Sequence, residues 1–221
     1  MQLSHDPAKV SAVFDEANLV SCAGLAPVVA LAARAGLEDL VARTVTVPGK
    51  NGANASVKVA ALVAGMVAGA DCIDDMDLLR HGAMPRLFTG LRAATTLGAF
   101  LRSFTFGHVR QLDAVAARVL AGLARCAPLL PGAHQMTYVD VDDTVRATHG
   151  YAKQGSGFGY TGVRGLNVLL GVVSTPLAAP VIAGTRLRKG SANSARGAAR
   201  LITDTLVTAR RLGADPRRGA R

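Results

Sequence analysis

The stretch MTYVDVDDTV, residues 136–145, has the composition of a core β-strand but contains three aspartates. Its valines and its tyrosine are typical of a buried strand. Asp140, Asp142 and Asp143 lie in the middle of this apolar stretch. Because an unpaired carboxylate in an apolar interior is costly, each of the three needs a partner or access to solvent.

Side chains alternate between the two faces of a strand, so Asp140 and Asp142 are predicted on one face and Asp143 on the other. Two carboxylates on one face repel each other unless a cation lies beside them. Mg²⁺ or Mn²⁺, held by a few carboxylates, water and substrate phosphate, satisfies such a pair. The alternative is that the aspartates mark the exposed end of the strand and cap the following turn.

The elements around this strand predict an α+β fold. Residues 8–130 have helical periodicity, including stretches at 25–43 and 57–70, whereas three strands and a helix follow the break at CAPLLPGAH. We predict a domain boundary near residue 130. The predicted strands and helix after it are 136–145, 159–175, 179–190 and 191–213, and the predicted units are 1–130, 131–213 and a disordered basic tail at 214–221.

Finer features of two helices are also predicted. Apolar residues between Leu97 and Leu123 recur at three- and four-residue steps, which indicates an amphipathic helix or helix pair, with Thr95 or Thr96 as its cap. The predicted apolar face of the last helix consists of Ala198, Leu201, Ile202, Thr205 and Leu206.

Positive charge is concentrated near the C-terminus. The net charge is +10, and residues 186–221 carry ten Lys and Arg against two Asp. Such a segment is typical of a protein that binds a polyanion, although a solvated helix face gives the same pattern. The candidate phosphate contacts are Arg186, Arg188, Lys189, Arg196 and Arg200.

The sequence predicts a cytoplasmic location. The first ten residues lack a basic stretch followed by an apolar one, so no signal peptide is predicted. The longest apolar run, 59–70, is shorter than the roughly 20 residues that span a bilayer, so no membrane association is expected. Cys22, Cys72 and Cys126 have no metal-binding spacing.

Two enzyme classes use carboxylates of this kind. The sequence DVDDT, residues 140–144, fits the Asp-x-Asp-x-Thr motif of haloacid-dehalogenase-like phosphatases, with Asp140 as nucleophile and Asp142 as general acid and base. That fold is a doubly wound parallel sheet, which does not normally place two strands directly after its first. Two-metal nucleic-acid enzymes of the RNase H-like fold instead begin strand, strand, strand, helix.

The segment from YVDVDDTVRATHGYAKQG to ARGAARLI resembles the start of the catalytic domain of bacterial insertion-sequence DDE transposases, family thirteen-eighty. The stretches GADCIDDMDLLRHGAMPRLF and TTLGAFLRSFTFGHVRQLD resemble that family's helical N-terminal region, so the resemblance covers roughly residues 5–213. It implies a DNA-binding helical region followed by a partial RNase H-like domain. The implied partner is DNA, at the terminal inverted repeats of the element, and the oligomeric state is left open.

The resemblance also implies a site. Asp142 corresponds to the first member of the Asp–Asp–Glu triad, with Asp140 as the alternative, and the cofactor is Mg²⁺ or Mn²⁺. The second Asp and the Glu lie on later elements of the family's domain, so we expect a truncated, inactive transposase that binds metal weakly or not at all. A non-enzymatic DNA-binding remnant, or an inhibitor of intact transposase, is the alternative.

Overall fold

The structure is a computed structural model, and it describes residues 16–150 and 153–215. The predictions for the first residues and for the tail beyond 215 lie outside the described residues. Within them, helices precede an antiparallel sheet that one further helix covers, so the α+β class is confirmed. The helices before the sheet are α1 (Leu25–Arg34), α2 (Leu37–Thr44), α3 (Gly49–Gly52), α4 (Ala55–Val67), a 3-10 helix (Asp74–Arg80), α5 (Met84–Leu87), α6 (Ala94–Arg102) and α7 (Phe106–Cys126).

The helix predicted at 25–43 is divided into α1 and α2. Gly36 lies between them with φ of 85°, a left-handed conformation that glycine adopts without strain. The turn lets the apolar faces of both helices contact the same core, in which Val41 is fully buried. The prediction at 57–70 corresponds to α4, which begins two residues earlier and ends at Val67.

The amphipathic stretch between Leu97 and Leu123 forms a helix pair, α6 and α7. Its predicted cap is wrong, because Thr95 and Thr96 both lie inside α6. The capping threonine is Thr105, at the start of α7. Its backbone N–H donates to Nδ1 of His108 at 3.0 Å, and its side chain accepts from the His108 backbone, so the two residues satisfy each other as in a capping box.

The sheet is built on a long central strand. Its strands are β1 (Tyr138–Ala147), β2 (Gly157–Phe158), β3 (Arg164–Thr175) and β4 (Ala178–Lys189). β3 pairs antiparallel with β1 on one side, and with β4 and the short β2 on the other. A two-residue turn, Pro176–Leu177, joins β3 to β4 and lies between the strands predicted at 159–175 and 179–190. Sequence reasoning missed β2, which is too short to show a periodicity.

Helix α8 (Ala198–Arg211) packs on one face of this sheet. Its buried residues are Leu201, Thr205, Thr208 and Ala209, whereas Ile202 and Leu206 are exposed by 40% and 41%. The predicted apolar face is therefore wrong at those two positions. Two sheet glycines, Gly171 and Gly184, face the helix, and Thr205 and Leu201 of α8 pack against them.

The contact between α8 and the sheet is unusually close at two glycines. A Cβ atom on Gly171 would lie 2.0 Å from the hydroxyl oxygen of Thr205, and one on Gly184 would lie 2.5 Å from it. Any larger residue at either position would push the helix away from the sheet. These glycines therefore set the distance at which α8 docks.

The helical region and the sheet share α7. Leu112, Val115 and Val119 of this helix pack into the core formed by α2, α4 and α6. Leu120 and Ala124 pack instead against a second core, which contains Val173 of β3 and Ala209 of α8. Within the described residues, no helix combines the length and the apolar character that crossing a membrane requires.

Replacing Gly171 with alanine is expected to lower the free energy of unfolding by about 1–3 kcal/mol, because the added methyl group overpacks the α8 contact. Adding Thr205→Ala should recover part of this loss, since it removes the atom that the methyl group meets. Urea denaturation followed by circular dichroism measures both effects.

The matched control is Gly24→Ala, because a Cβ atom there meets nothing within 4 Å. Its effect should stay within about 0.5 kcal/mol. Equal losses for the two glycine variants, or no recovery with Thr205→Ala, would contradict the close-docking account.

Candidate metal and nucleic-acid site

The three aspartates of β1 lie in two different environments. Asp140 and Asp142 are exposed, whereas the side chain of Asp143 is only 9% exposed. In the register of the sheet, Asp140 is opposite Val172 and Asp142 is opposite Leu170. The alternation predicted from the sequence is therefore confirmed: one carboxylate points toward α8 and two point to the other face.

Asp143 is neutralised by buried partners. Its Oδ2 accepts hydrogen bonds from Asn167 Nδ2 at 2.8 Å and from Arg188 Nη2 at 3.1 Å. Asn167, on β3, is 1% exposed, and Arg188, on β4, is 9% exposed. The three side chains cross the sheet from β1 to β4, so this carboxylate has the paired charge and hydrogen bonds that a buried ion requires.

Arg188 also fastens the loop before α8. Its Nη1 donates to the carbonyl oxygens of Asn193 at 2.8 Å and Arg196 at 2.7 Å, and more weakly to that of Ser194. Its Nε and Nη2 donate to Oδ1 of Asn167. With every N–H group engaged, Arg188 has no donor left for a DNA phosphate in this arrangement, contrary to its selection from the sequence. Its role here is structural.

The other four predicted phosphate contacts differ in access. The side chain of Arg186 is 19% exposed and lies 3.6 Å from Asp204, and its buried Nε has no hydrogen-bond partner among the described residues. Arg200 is 70% exposed and approaches Asp204 at 3.3 Å. Lys189 and Arg196 are exposed. The structure thus leaves Lys189, Arg196 and Arg200 accessible, and places Arg186 in an ion network.

The same network contains an aspartate that sequence reasoning did not single out. Asp113, on α7, accepts hydrogen bonds from Thr185 of β4 at 2.8 Å and from Arg110 at 2.5 Å. Burial raises its pKa above the ordinary value, while Thr185 and Arg110 act in the opposite direction. Arg110 also lies 3.5 Å from Asp204. These contacts hold α7 against β4 and α8.

The face that carries Asp140 and Asp142 is largely apolar. Leu166, Val168, Leu170 and Val172 of β3 are partly buried, yet none belongs to the three core clusters of the described residues. Ile182 of β4 is 55% exposed. The two carboxylates therefore lie on an accessible sheet face where ligands of hard cations are otherwise scarce.

A different acidic group lies at the start of the 3-10 helix. Among the described residues, only Asp71, Cys72 and Asp75 bring three potential metal ligands together. The Asp75 carboxylate accepts hydrogen bonds from the backbone N–H groups of Asp71 at 3.2 Å and Cys72 at 3.1 Å. Hydrogen bonds from Cys72, and then from Asp71, lower the Asp75 pKa. These backbone hydrogen bonds already stabilise the negative charge of Asp75, so the cluster needs no cation to account for its geometry.

Arg188→Gln is expected to lower the free energy of unfolding by about 3–5 kcal/mol, because it leaves the buried Asp143 carboxylate without its counterion. Arg200→Gln, at a side chain that is 70% exposed, serves as the matched control and should change stability by no more than about 0.5 kcal/mol. Equilibrium unfolding in urea compares the two. Similar small losses for both variants would mean that the buried pair does not hold the sheet together.

Comparisons with models of protein families, with curated proteins and with solved structures gave no match to this chain.

Proposed function

We propose that this chain carries the first carboxylates of a DDE transposase, which acts on DNA at insertion-sequence ends. Asp140 and Asp142 are the proposed ligands of Mg²⁺ or Mn²⁺. The observation that carries this proposal is that the three aspartates lie in different environments. Asp143 forms a salt bridge with Arg188, whereas Asp140 and Asp142 remain exposed on the other face of β1. The motif resemblance supplies the enzyme class.

The topology supports the same proposal. β1, β3 and β4 form an antiparallel meander, and α8 follows and packs on one face. An RNase H-like fold begins with this order, and its first carboxylate lies on the first strand. Within the described residues, no strand pairs with the outer edge of β1, which is the edge that the next strand occupies in that fold.

The proposed chemistry is metal-assisted phosphodiester cleavage and strand transfer. A divalent ion in such a site polarises the phosphate and lowers the pKa of the attacking water or hydroxyl group. Asp140 and Asp142 can hold one hydrated ion, but two-metal chemistry takes carboxylates from several strands. Since the described residues place no third acidic ligand with these two, the full reaction requires further carboxylates from elsewhere.

Two alternatives remain distinct from this proposal. A non-enzymatic DNA-binding protein is favoured by the lack of a third acidic ligand in the described part of the chain. The phosphatase alternative is disfavoured, because its nucleophile belongs on a parallel sheet, whereas β1 pairs antiparallel with β3.

Titrating Mn²⁺ into the isotopically labelled chain is expected to broaden the amide signals of Asp140–Asp142 and of the facing Leu170–Val172. Asp140→Asn and Asp142→Asn should each weaken this binding by about tenfold or more, because each removes half of the local negative charge. The control is Asp71→Asn, which should leave the binding unchanged. Broadening centred on the Asp71–Asp75 cluster, or broadening unaffected by both strand variants, would contradict the proposal.

A further inference from the structure

A groove lined by four arginines runs between the helical region and α8. Its volume is about 540 Å³, and no acidic side chain lines it. Two of the arginines, Arg118 and Arg125, lie on α7. The other lining residues are Arg43 of α2, Arg211 of α8, Ala35, Gly36, Leu40 and Ala121.

The four arginines lack counterions among the described residues. All four are exposed, and none forms a salt bridge with a described carboxylate. Arg118 and Arg125 donate only to carbonyl oxygens of their own helix, each at 3.3 Å. On another surface, by contrast, Arg110, Arg186 and Arg200 converge on Asp204. Four like charges without an acidic partner repel one another, and a bound anion relieves that repulsion.

The spacing of the charges indicates the kind of anion. Arg118 and Arg125 are seven residues apart on α7, so they lie on one side of the helix and are separated by about 10.5 Å along its axis. The four arginines, which come from three helices, together offer donors to more than one phosphate group. Each strand of duplex DNA presents a charge about every 3.4 Å along its axis, so its backbone supplies several phosphates over this length.

We propose that this groove binds the phosphate backbone of duplex DNA. The inference rests on the proposed function and deepens it, because it assigns DNA contact to particular residues, whereas the resemblance implies only a DNA-binding helical region. The planar guanidinium group donates well to phosphate oxygens, and such contacts position DNA without reading its sequence. A concave groove without aromatic side chains suits a DNA backbone better than the flat surface of an anionic membrane.

The test compares two charge-matched double variants of the full chain. Arg118→Gln with Arg125→Gln removes two groove charges, and Arg86→Gln with Arg102→Gln removes two exposed helix charges elsewhere. Fluorescence anisotropy with a short duplex of arbitrary sequence measures affinity across a range of salt concentrations. The groove variant should weaken binding and make the slope of log K against log salt shallower by about 1.8, whereas the control keeps the wild-type slope.

The outcomes separate this inference from the proposed function. DNA binding with equal slopes for both double variants would overturn the groove and leave the transposase proposal standing. A shallower slope for the groove variant, with no Mn²⁺ binding at Asp140 and Asp142, would support the groove and contradict the metal site. Failure of the wild-type chain to bind DNA at low salt, or stronger binding to phosphatidylserine vesicles than to DNA, would overturn the groove proposal.

Discussion

The ion pair between Asp143 and Arg188 is the interaction on which the sheet region depends. Each charge would cost several kcal/mol to bury alone, and together with Asn167 they satisfy each other across three strands. Arg188 then extends the network to the backbone of the loop that leads into α8. One buried cation therefore fixes both the register of β1 against β3 and β4 and the point at which the final helix begins.

This interaction explains why a core strand can contain three aspartates. The inner carboxylate is a structural element, so its charge is not available to a ligand. Alternation along β1 places Asp140 and Asp142 on the opposite face, beside the partly buried side chains of β3. Both carboxylates are exposed, so they need no buried partner and are accessible to a ligand. Their presence is the reason for interpreting this face as functional.

Much of the fold follows from the sequence because its signals are local. Apolar and β-branched composition predicted the long strands, and alternation along β1 predicted which face each aspartate occupies. Contacts between residues that are distant in the sequence left no such local pattern. From the sequence, Arg188 could not be distinguished from the exposed cations of the basic segment, because its partners Asp143 and Asn167 lie 45 and 21 residues away.

The arginine groove was missed for the same reason: Arg43, Arg118 and Arg211 come from three separate helices, and only Arg118 and Arg125 share a helical period. The inward face of α8 was mispredicted because glycines on β3 and β4 admit Thr205.

Chemical labelling of carboxyl groups tests most directly whether Asp143 is buried while Asp140 and Asp142 are exposed. Carbodiimide-driven coupling of an amine to the native chain, followed by mass spectrometry of peptides, gives a rate for each aspartate. We expect Asp140 and Asp142 to react as fast as the exposed Asp39, and Asp143 to stay protected until the chain unfolds. Labelling of Asp143 in the native chain at the rate of its two neighbours would contradict this expectation.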